Sequence, residues 1–215
     1  MKERPILFSG PMVRAILADE KTQTRRLKGL QEINQNPNRY GSAVLWDVTV
    51  QWNVTFLGAP TPNNHVWWDF WIAGTDAITR VKCPYGQVGD RLWVRENTRY
   101  ARMGCGMPLI EPPVWYSADG ECPSPDLYPI SRPAIFMPRW ASRITLEITN
   151  IRAARVQDIT NDEAEAEGAR YFGSYQSLGR NQFRDAWVAM NGKGSWSWND
   201  WVWVIEFKRL TNKGE

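Results

Sequence analysis

The sequence is poor in the residues that build most metal sites and most acyl-transfer sites. It contains one histidine, His65, and three cysteines, Cys83, Cys105 and Cys122, none of which lies in a CxxC pattern. Histidine supplies the base in Ser-His and Cys-His catalysis, and an odd number of cysteines cannot form a complete disulfide framework. We therefore expect no metal site, no cofactor and no histidine-based catalysis.

Long apolar runs and a strong net charge are also missing. No stretch approaches the roughly 20 apolar residues that a transmembrane helix needs, and the first residues lack the apolar core of a signal peptide. The formal net charge is only +3 over 215 residues. We expect a cytoplasmic protein without a membrane partner, in which any contact with nucleic acid uses a local basic patch.

Tryptophan, in contrast, is abundant. The 13 tryptophans among 215 residues form a large aromatic core, or present rings on which bases can stack. Trp201 and Trp203 alternate in an apolar run and predict the buried face of a strand. Trp196 and Trp198 precede that strand among glycine and serine, and we interpret them as candidates for base stacking. The length predicts a single domain, 1–215.

The densest group of cations is the stretch Lys-Thr-Gln-Thr-Arg-Arg from Lys21 to Arg26. It follows an apolar segment that predicts a helix from Pro11 to about residue 20. Cations at the C-terminal end of a helix interact favourably with its dipole, which is one interpretation of the stretch. The others are a contact with phosphate groups and a hydroxyl activated by an amine, because Lys21 and Thr24 would share a face on a helical turn.

The rest of the chain predicts an alternation of strands and helices. Apolar alternation predicts strands at 91–96, 144–151 and 201–207. Thr160 and Glu163 have the spacing of a capping box, and Gly168 predicts the end of that helix. An amphipathic pattern predicts a further helix over 181–190.

Two stretches break this pattern and are interpreted as insertions. The first, at about 27–85, has aromatic alternation and is expected to be largely β. The second, at about 97–136, is rich in proline, glycine and serine; we expect it to be loop-like and a plausible lid.

Five motifs together resemble the ASCH domain family. They are Lys21-Thr22-x-Thr24-x-Arg26 after a helix, Gly89-Asp90 before a strand, Leu146-Glu147-Ile148, the Asp158-Ile159-Thr160 helix start and the closing strand 204–208. The resemblance covers the first thirty residues, 89–96 and 137 to the C-terminus, and leaves both insertions outside. It implies an α+β fold, a PUA-like mixed β-barrel with flanking helices. In layout the chain is similar to ASCH-type proteins encoded by bacteriophages.

The resemblance also implies work on RNA or on a modified nucleoside. A shorter bacterial enzyme of the family hydrolyses the acetyl amide of N4-acetylcytidine with a Lys-Thr-Glu set. That set corresponds to Lys21, Thr24 and Glu167 here, with Glu163 and Glu165 as alternatives for the glutamate. Such an amidohydrolase would use the threonine as nucleophile, the lysine as base and the glutamate to exchange a proton with the leaving amine.

Other functions stay open at this point. The same residues suit a non-catalytic module that binds RNA or a modified base, and other family members are described as ribonucleases. A phage protein could also inhibit a host protein partner through its insertions.

A further set of residues combines cations with aromatic rings and is a candidate for contact with nucleic acid or another ligand. Arginine binds phosphate groups, and rings stack on bases. An ordinary solvated position at a strand entry is the alternative for the arginines. The set consists of Arg25, Arg26, Arg139, Trp140, Arg143, Trp196 and Trp198.

Overall fold

A computed structural model of the chain describes residues 1–36, 67–71, 78–102, 114–120, 128–171 and 179–210. These residues form ten strands and four α-helices, which confirms the predicted α+β class. The strands are β1 (Glu3–Leu7), β2 (Gln23–Arg26), β3 (Trp67–Trp71), β4 (Ile78–Lys82), β5 (Arg91–Arg95), β6 (Thr98–Arg102), β7 (Val114–Tyr116), β8 (Tyr128–Arg132), β9 (Thr145–Arg155) and β10 (Trp201–Leu210). The helices are α1 (Gly10–Leu17), α2 (Gln31–Gln35), α3 (Asn161–Ala166) and α4 (Arg180–Asn191). None of the helices in this part of the chain is long and apolar enough to cross a membrane.

Five strands form one mixed sheet in the order β1-β5-β9-β10-β2. β1 runs parallel to β5, and the other neighbours are antiparallel. The described strands do not close into a barrel, and β1 and β2 are the edges of this sheet. The Arg26 guanidinium nevertheless joins the two edges, because its Nη2 donates a hydrogen bond to the Leu7 carbonyl at 2.6 Å. A side chain therefore bridges the edges where a closed barrel would have backbone pairing.

Alternation along β10 divides its side chains between two apolar cores. Trp203 and Ile205 face the core that contains α1, whereas Val202 and Val204 face the core that contains α4. Side chains point alternately to opposite faces of a strand, so one strand can supply both cores. Trp201 and Trp203 are both buried, which confirms the prediction for them.

The turn that carries α3 is built as its sequence predicts. The Thr160 hydroxyl accepts from the Glu163 N–H, and the Glu163 carboxylate accepts from the Thr160 N–H, so the capping box is complete. Gly168 ends the segment with a φ of +75°, in the region that favours glycine. A Cβ on Gly168 would lie only 2.9 Å from the Cβ of Ala15. The absence of a side chain at Gly168 therefore lets α1 approach this turn closely.

The first insertion is described only in part. It contributes α2 and the antiparallel pair β3–β4, which packs the Trp68 ring 5.8 Å from the Trp203 ring. The β prediction is therefore confirmed for 67–71 and 78–82. The aromatic alternation at 43–56 lies outside the described residues.

The second insertion is not loop-like where the structure describes it. β6, β7 and β8 form a three-stranded antiparallel sheet in the order β7-β6-β8. Its buried face is carried by Thr98 and Tyr100 rather than by aliphatic residues, so apolar alternation did not reveal β6. Of the predicted lid at about 97–136, residues 103–113 and 121–127 lie outside the described residues.

Candidate functional site

The structure brings Lys21 and Glu167 into direct contact. Lys21 precedes β2, and Glu167 caps the C-terminal end of α3. The Lys21 Nζ donates to Glu167 Oε2 at 2.8 Å and to the Glu167 carbonyl at 2.6 Å. The two residues are 2% and 3% exposed. Two of the three residues expected from the ASCH resemblance therefore form one buried ion pair.

A second cation shares the same carboxylate. Arg25 Nη1 donates to Glu167 Oε1 at 3.2 Å, and Arg25 Nη2 donates to Glu163 Oε2 at 2.8 Å. Arg152, on β9, contacts the other Glu163 oxygen. Glu163 and Glu167 lie one helical turn apart, which is the spacing at which side chains share a face. Cations and carboxylates thus alternate through the network Lys21–Glu167–Arg25–Glu163–Arg152.

The pKa values of two residues in the network, Lys21 and Glu163, are lowered. Burial lowers the pKa of Lys21, although the adjacent Glu167 carboxylate opposes that shift. Burial alone would raise the pKa of Glu163, but the Thr160 N–H and the guanidinium groups of Arg25 and Arg152 hold it below its ordinary value. A buried lysine with a lowered pKa releases its proton more readily than a solvated one, as a general base must.

Thr24 lies on β2 between these charged residues. The prediction that Lys21 and Thr24 share a helical turn is wrong, because Gln23–Arg26 is a strand paired with Trp203–Glu206 of β10. Thr24 is buried, and alternation puts it on the sheet face opposite to Gln23 and Arg25. Within the described part of the chain, no hydrogen bond links its hydroxyl to Lys21 or Glu167.

The Phe8 ring lies close to two of the cations. Its ring centroid lies 5.7 Å from Lys21 Nζ and 4.9 Å from the Arg26 guanidinium carbon. Phe8 follows β1, and its N–H donates to the Arg95 carbonyl, which holds the ring beside the sheet edge. Sequence reasoning missed Phe8 and Arg152, because neither is near the Lys21–Arg26 stretch along the chain.

Backbone contacts with α1 and with the turn after α3 hold Lys21 in place. The Glu20 and Lys21 N–H groups both donate to the Ala15 carbonyl, and the Thr22 N–H donates to the Ala166 carbonyl. Gly168 packs against the Lys21 side chain, since a Cβ there would lie 3.4 Å from the Lys21 Cβ. Backbone contacts therefore set the position of the amine.

The predicted arginines at 139 and 143 are held by carboxylates. Arg143 donates to both Glu96 oxygens at 2.9 and 3.1 Å, and its guanidinium also binds Asp119. Arg139 pairs with Glu3 at 3.0 Å on the surface. Glu96 is buried, and burial raises its pKa although Arg143 opposes the shift. These arginines lie in ion pairs separate from the Lys21–Glu167 pair.

The predicted aromatic residues have three different environments. Trp140 is exposed, with its ring edge toward Tyr100. Trp196 is half-buried against Phe183 and beneath Arg180. Trp198 is exposed beside a surface depression. None of the three contacts Lys21 or Glu167 among the described contacts.

In the described residues, no group of three or more His, Cys, Asp or Glu side chains is arranged to hold a metal ion. Arg25 and Arg26 complete the predicted set: Arg25 is buried within the ion network, and Arg26 is half-buried across the sheet edges.

Comparisons with protein-family models, curated proteins and solved structures found no match to this chain.

Proposed function

We propose that this protein is an ASCH-type amidohydrolase that acts on an N4-acylated cytidine, free or within RNA. The observation that carries the proposal is the buried contact of 2.8 Å between Lys21 Nζ and Glu167 Oε2, across 146 residues of sequence. The ASCH resemblance pairs these two positions independently of any contact. The five-stranded sheet whose edges are joined by Arg26 supports the finer proposal of a PUA-like fold.

The reaction would take place beside the sheet edges β1 and β2, which Arg26 joins. The Thr24 Oγ attacks the acyl carbonyl carbon while the neutral Lys21 amine takes the hydroxyl proton. The tetrahedral carbon then collapses, the bond to N4 breaks, and the protonated Lys21–Glu167 pair returns a proton to the leaving amine. Water hydrolyses the resulting threonyl ester, which releases the carboxylate and restores Thr24.

Three features of the site support this chemistry. Burial lowers the pKa of Lys21, which favours a neutral amine more than in a solvated lysine. Arg25 stays beside the carboxylate of Glu167 and balances its charge when the lysine is neutral. Phe8 offers an aromatic surface next to both cations. Acid–base assistance of this kind contributes about 10²–10⁴-fold to a rate.

The test is incubation with N4-acetylcytidine, with cytidine and acetate measured by chromatography. Thr24→Ala should lower the rate at least about hundredfold. Thr22→Ala is the matched control, because Thr22 is exposed and, among the described residues, its hydrogen bonds involve only its backbone N–H and carbonyl. Lys21→Arg keeps the charge but cannot act as a base, because a guanidinium stays protonated, and it should also be inactive. Absence of cytidine, or a Thr24→Ala variant with wild-type rate, would refute the proposal.

A non-catalytic module for a modified base is the second candidate. It is favoured by the completeness of the ion network, in which Lys21, Arg25 and Glu167 are buried and all paired. A network in which these charges are all paired can serve binding alone, without a catalytic role. Saturable binding of N4-acetylcytidine without turnover, lost in Phe8→Ala, would favour this candidate. RNA cleavage that a chelator abolishes would instead indicate the ribonuclease.

A further inference from the structure

A surface depression of about 530 Å³ lies beyond the end of β2. Small-molecule sites typically occupy about 300–1,000 Å³, so a mononucleoside fits this volume. The Lys21–Glu167 pair does not line it. The lining residues are Leu27, Gln31, Asn34, Gln35, Trp198 and Asp200.

Trp198 gives the depression an aromatic wall. Its side chain is 64% exposed, whereas Trp201 and Trp203 in the adjoining strand are buried. The Trp198 N–H donates to the Gly194 carbonyl, and a Cβ on Gly194 would lie 3.6 Å from the ring. The ring is therefore held by its turn while most of its surface remains available for stacking.

Asp200 gives the depression a carboxylate that accepts no hydrogen bond from the described residues. No described residue donates a hydrogen bond to its half-buried carboxylate, and burial raises its pKa. Arg155 is the nearby cation, but its guanidinium stacks 4.4 Å from the Trp201 ring centroid and donates to the Asn199 carbonyl. A ligand N–H would complete the hydrogen bonding of this carboxylate.

Side-chain amides supply hydrogen-bond donors to the depression, in contrast to the Asp200 acceptor. The Gln31 Oε1 accepts from the Gly29 N–H, and no described residue accepts a hydrogen bond from its amide nitrogen. Gln35 makes no side-chain hydrogen bond within the described residues. Asn34, in contrast, is fixed, because its side chain donates to the Trp201 carbonyl and accepts from the Trp201 N–H. The depression thus combines one rigid amide with two available ones.

We propose that this depression binds a planar heteroaromatic base with an exocyclic amino group, such as adenine. The ring stacks on Trp198, and the amino group donates to the Asp200 carboxylate. The amides of Gln31 and Gln35 donate to the ring nitrogens. This site goes beyond the proposed hydrolysis and does not depend on Lys21, Thr24 or Glu167.

The test compares the binding of adenosine and purine riboside to the full chain by titration calorimetry. These nucleosides differ only by the 6-amino group. Adenosine should bind about tenfold more tightly, because a hydrogen bond to a charged acceptor is lost with purine riboside. Trp198→Ala should weaken both nucleosides about tenfold, and Trp198→Phe should retain most of the affinity. Asp200→Ala, which removes the acceptor, should abolish the preference for adenosine.

Phe136→Ala is the matched control, because Phe136 is 66% exposed and lies outside the depression. It should leave both affinities unchanged, and circular dichroism should show that every variant is folded. Equal affinity for the two nucleosides, no binding of either, or a Trp198→Ala variant with wild-type affinity would overturn the proposal. Thr24→Ala should bind adenosine normally, so failure here and failure of the hydrolysis are distinguishable.

Discussion

Replacing Glu167 by alanine removes the carboxylate that favours the charged form of Lys21 in the folded protein. Arg25 retains a second carboxylate, Glu163, but the only carboxylate among the described contacts of Lys21 is Glu167. The Lys21 side chain has no exposed surface, so water cannot replace the lost partner. The ammonium must then stay buried with the backbone carbonyl of residue 167 as its remaining acceptor and no countercharge, or lose its proton.

Both outcomes have a similar magnitude at neutral pH. Removing one member of a buried ion pair costs about 3–5 kcal/mol. Neutralising a lysine at pH 7, against an ordinary pKa of about 10.4, costs about 4–5 kcal/mol. We therefore expect Glu167→Ala to lower the free energy of unfolding by about 3–5 kcal/mol at pH 7.

The pH dependence of this loss identifies its cause. If folded Lys21 is neutral in the variant, the unfolded chain binds one more proton than the folded chain below pH 10. Stability of the variant must then rise with pH, by about 1.4 kcal/mol per pH unit, until the ordinary lysine pKa is reached. The wild-type protein should show this slope only above the lowered pKa of its own Lys21, because the Glu167 carboxylate opposes the loss of the lysine proton.

Urea unfolding at several pH values measures the effect directly. Glu165→Ala is the matched control: it lies on the same helix, is exposed, and should change stability by less than about 0.5 kcal/mol. Adding Lys21→Met to Glu167→Ala should restore part of the loss, since no orphaned ammonium remains. A loss below about 1 kcal/mol, or one that does not vary with pH, would refute this account of the pair.

Three further predictions concern the stability of α3 and its following turn, and the reactivity of a buried thiol. Gly168→Ala should cost about 1–3 kcal/mol, because φ is +75° and the new Cβ meets Ala15 at 2.9 Å; an unchanged melting temperature would contradict this. Thr160→Ala should cost about 0.5–2 kcal/mol in urea unfolding, because the capping box loses its hydroxyl; a smaller cost would mean that α3 is held by packing alone. Burial raises the pKa of Cys83 to about 11, so its thiolate fraction at neutral pH should be about a hundredfold below that of an ordinary thiol. Alkylation followed by peptide mapping should therefore label Cys83 rapidly only after unfolding.

Local patterns predicted the elements that depend on neighbouring residues. The capping box at Thr160 and the glycine stop at Gly168 involve residues three to eight positions apart, and both are present. The strands β9 and β10 also follow their predictions, because alternation of apolar residues records which face is buried. In each case the determining interactions lie within a few residues.

The errors fall where distant pairing overrides weak local preference. The stretch Gln23–Arg26 has no strong preference for helix or strand, and it became β2 because β10 pairs with it about 180 residues later. The same applies to β6, whose buried Thr98 and Tyr100 do not form an apolar pattern. The ASCH resemblance named the positions of Lys21 and Glu167, but only the fold shows their contact.

The sequence by itself determined the periodicity, the caps and the shortage of histidine, because each is a property of residue order or residue type. Tertiary structure decided which charges meet. Lys21 and Glu167 are 146 residues apart, and their pairing requires α1, β2 and the turn after α3 to converge. It also buried both side chains, and this burial lowers the pKa of Lys21 while the Glu167 carboxylate opposes the shift.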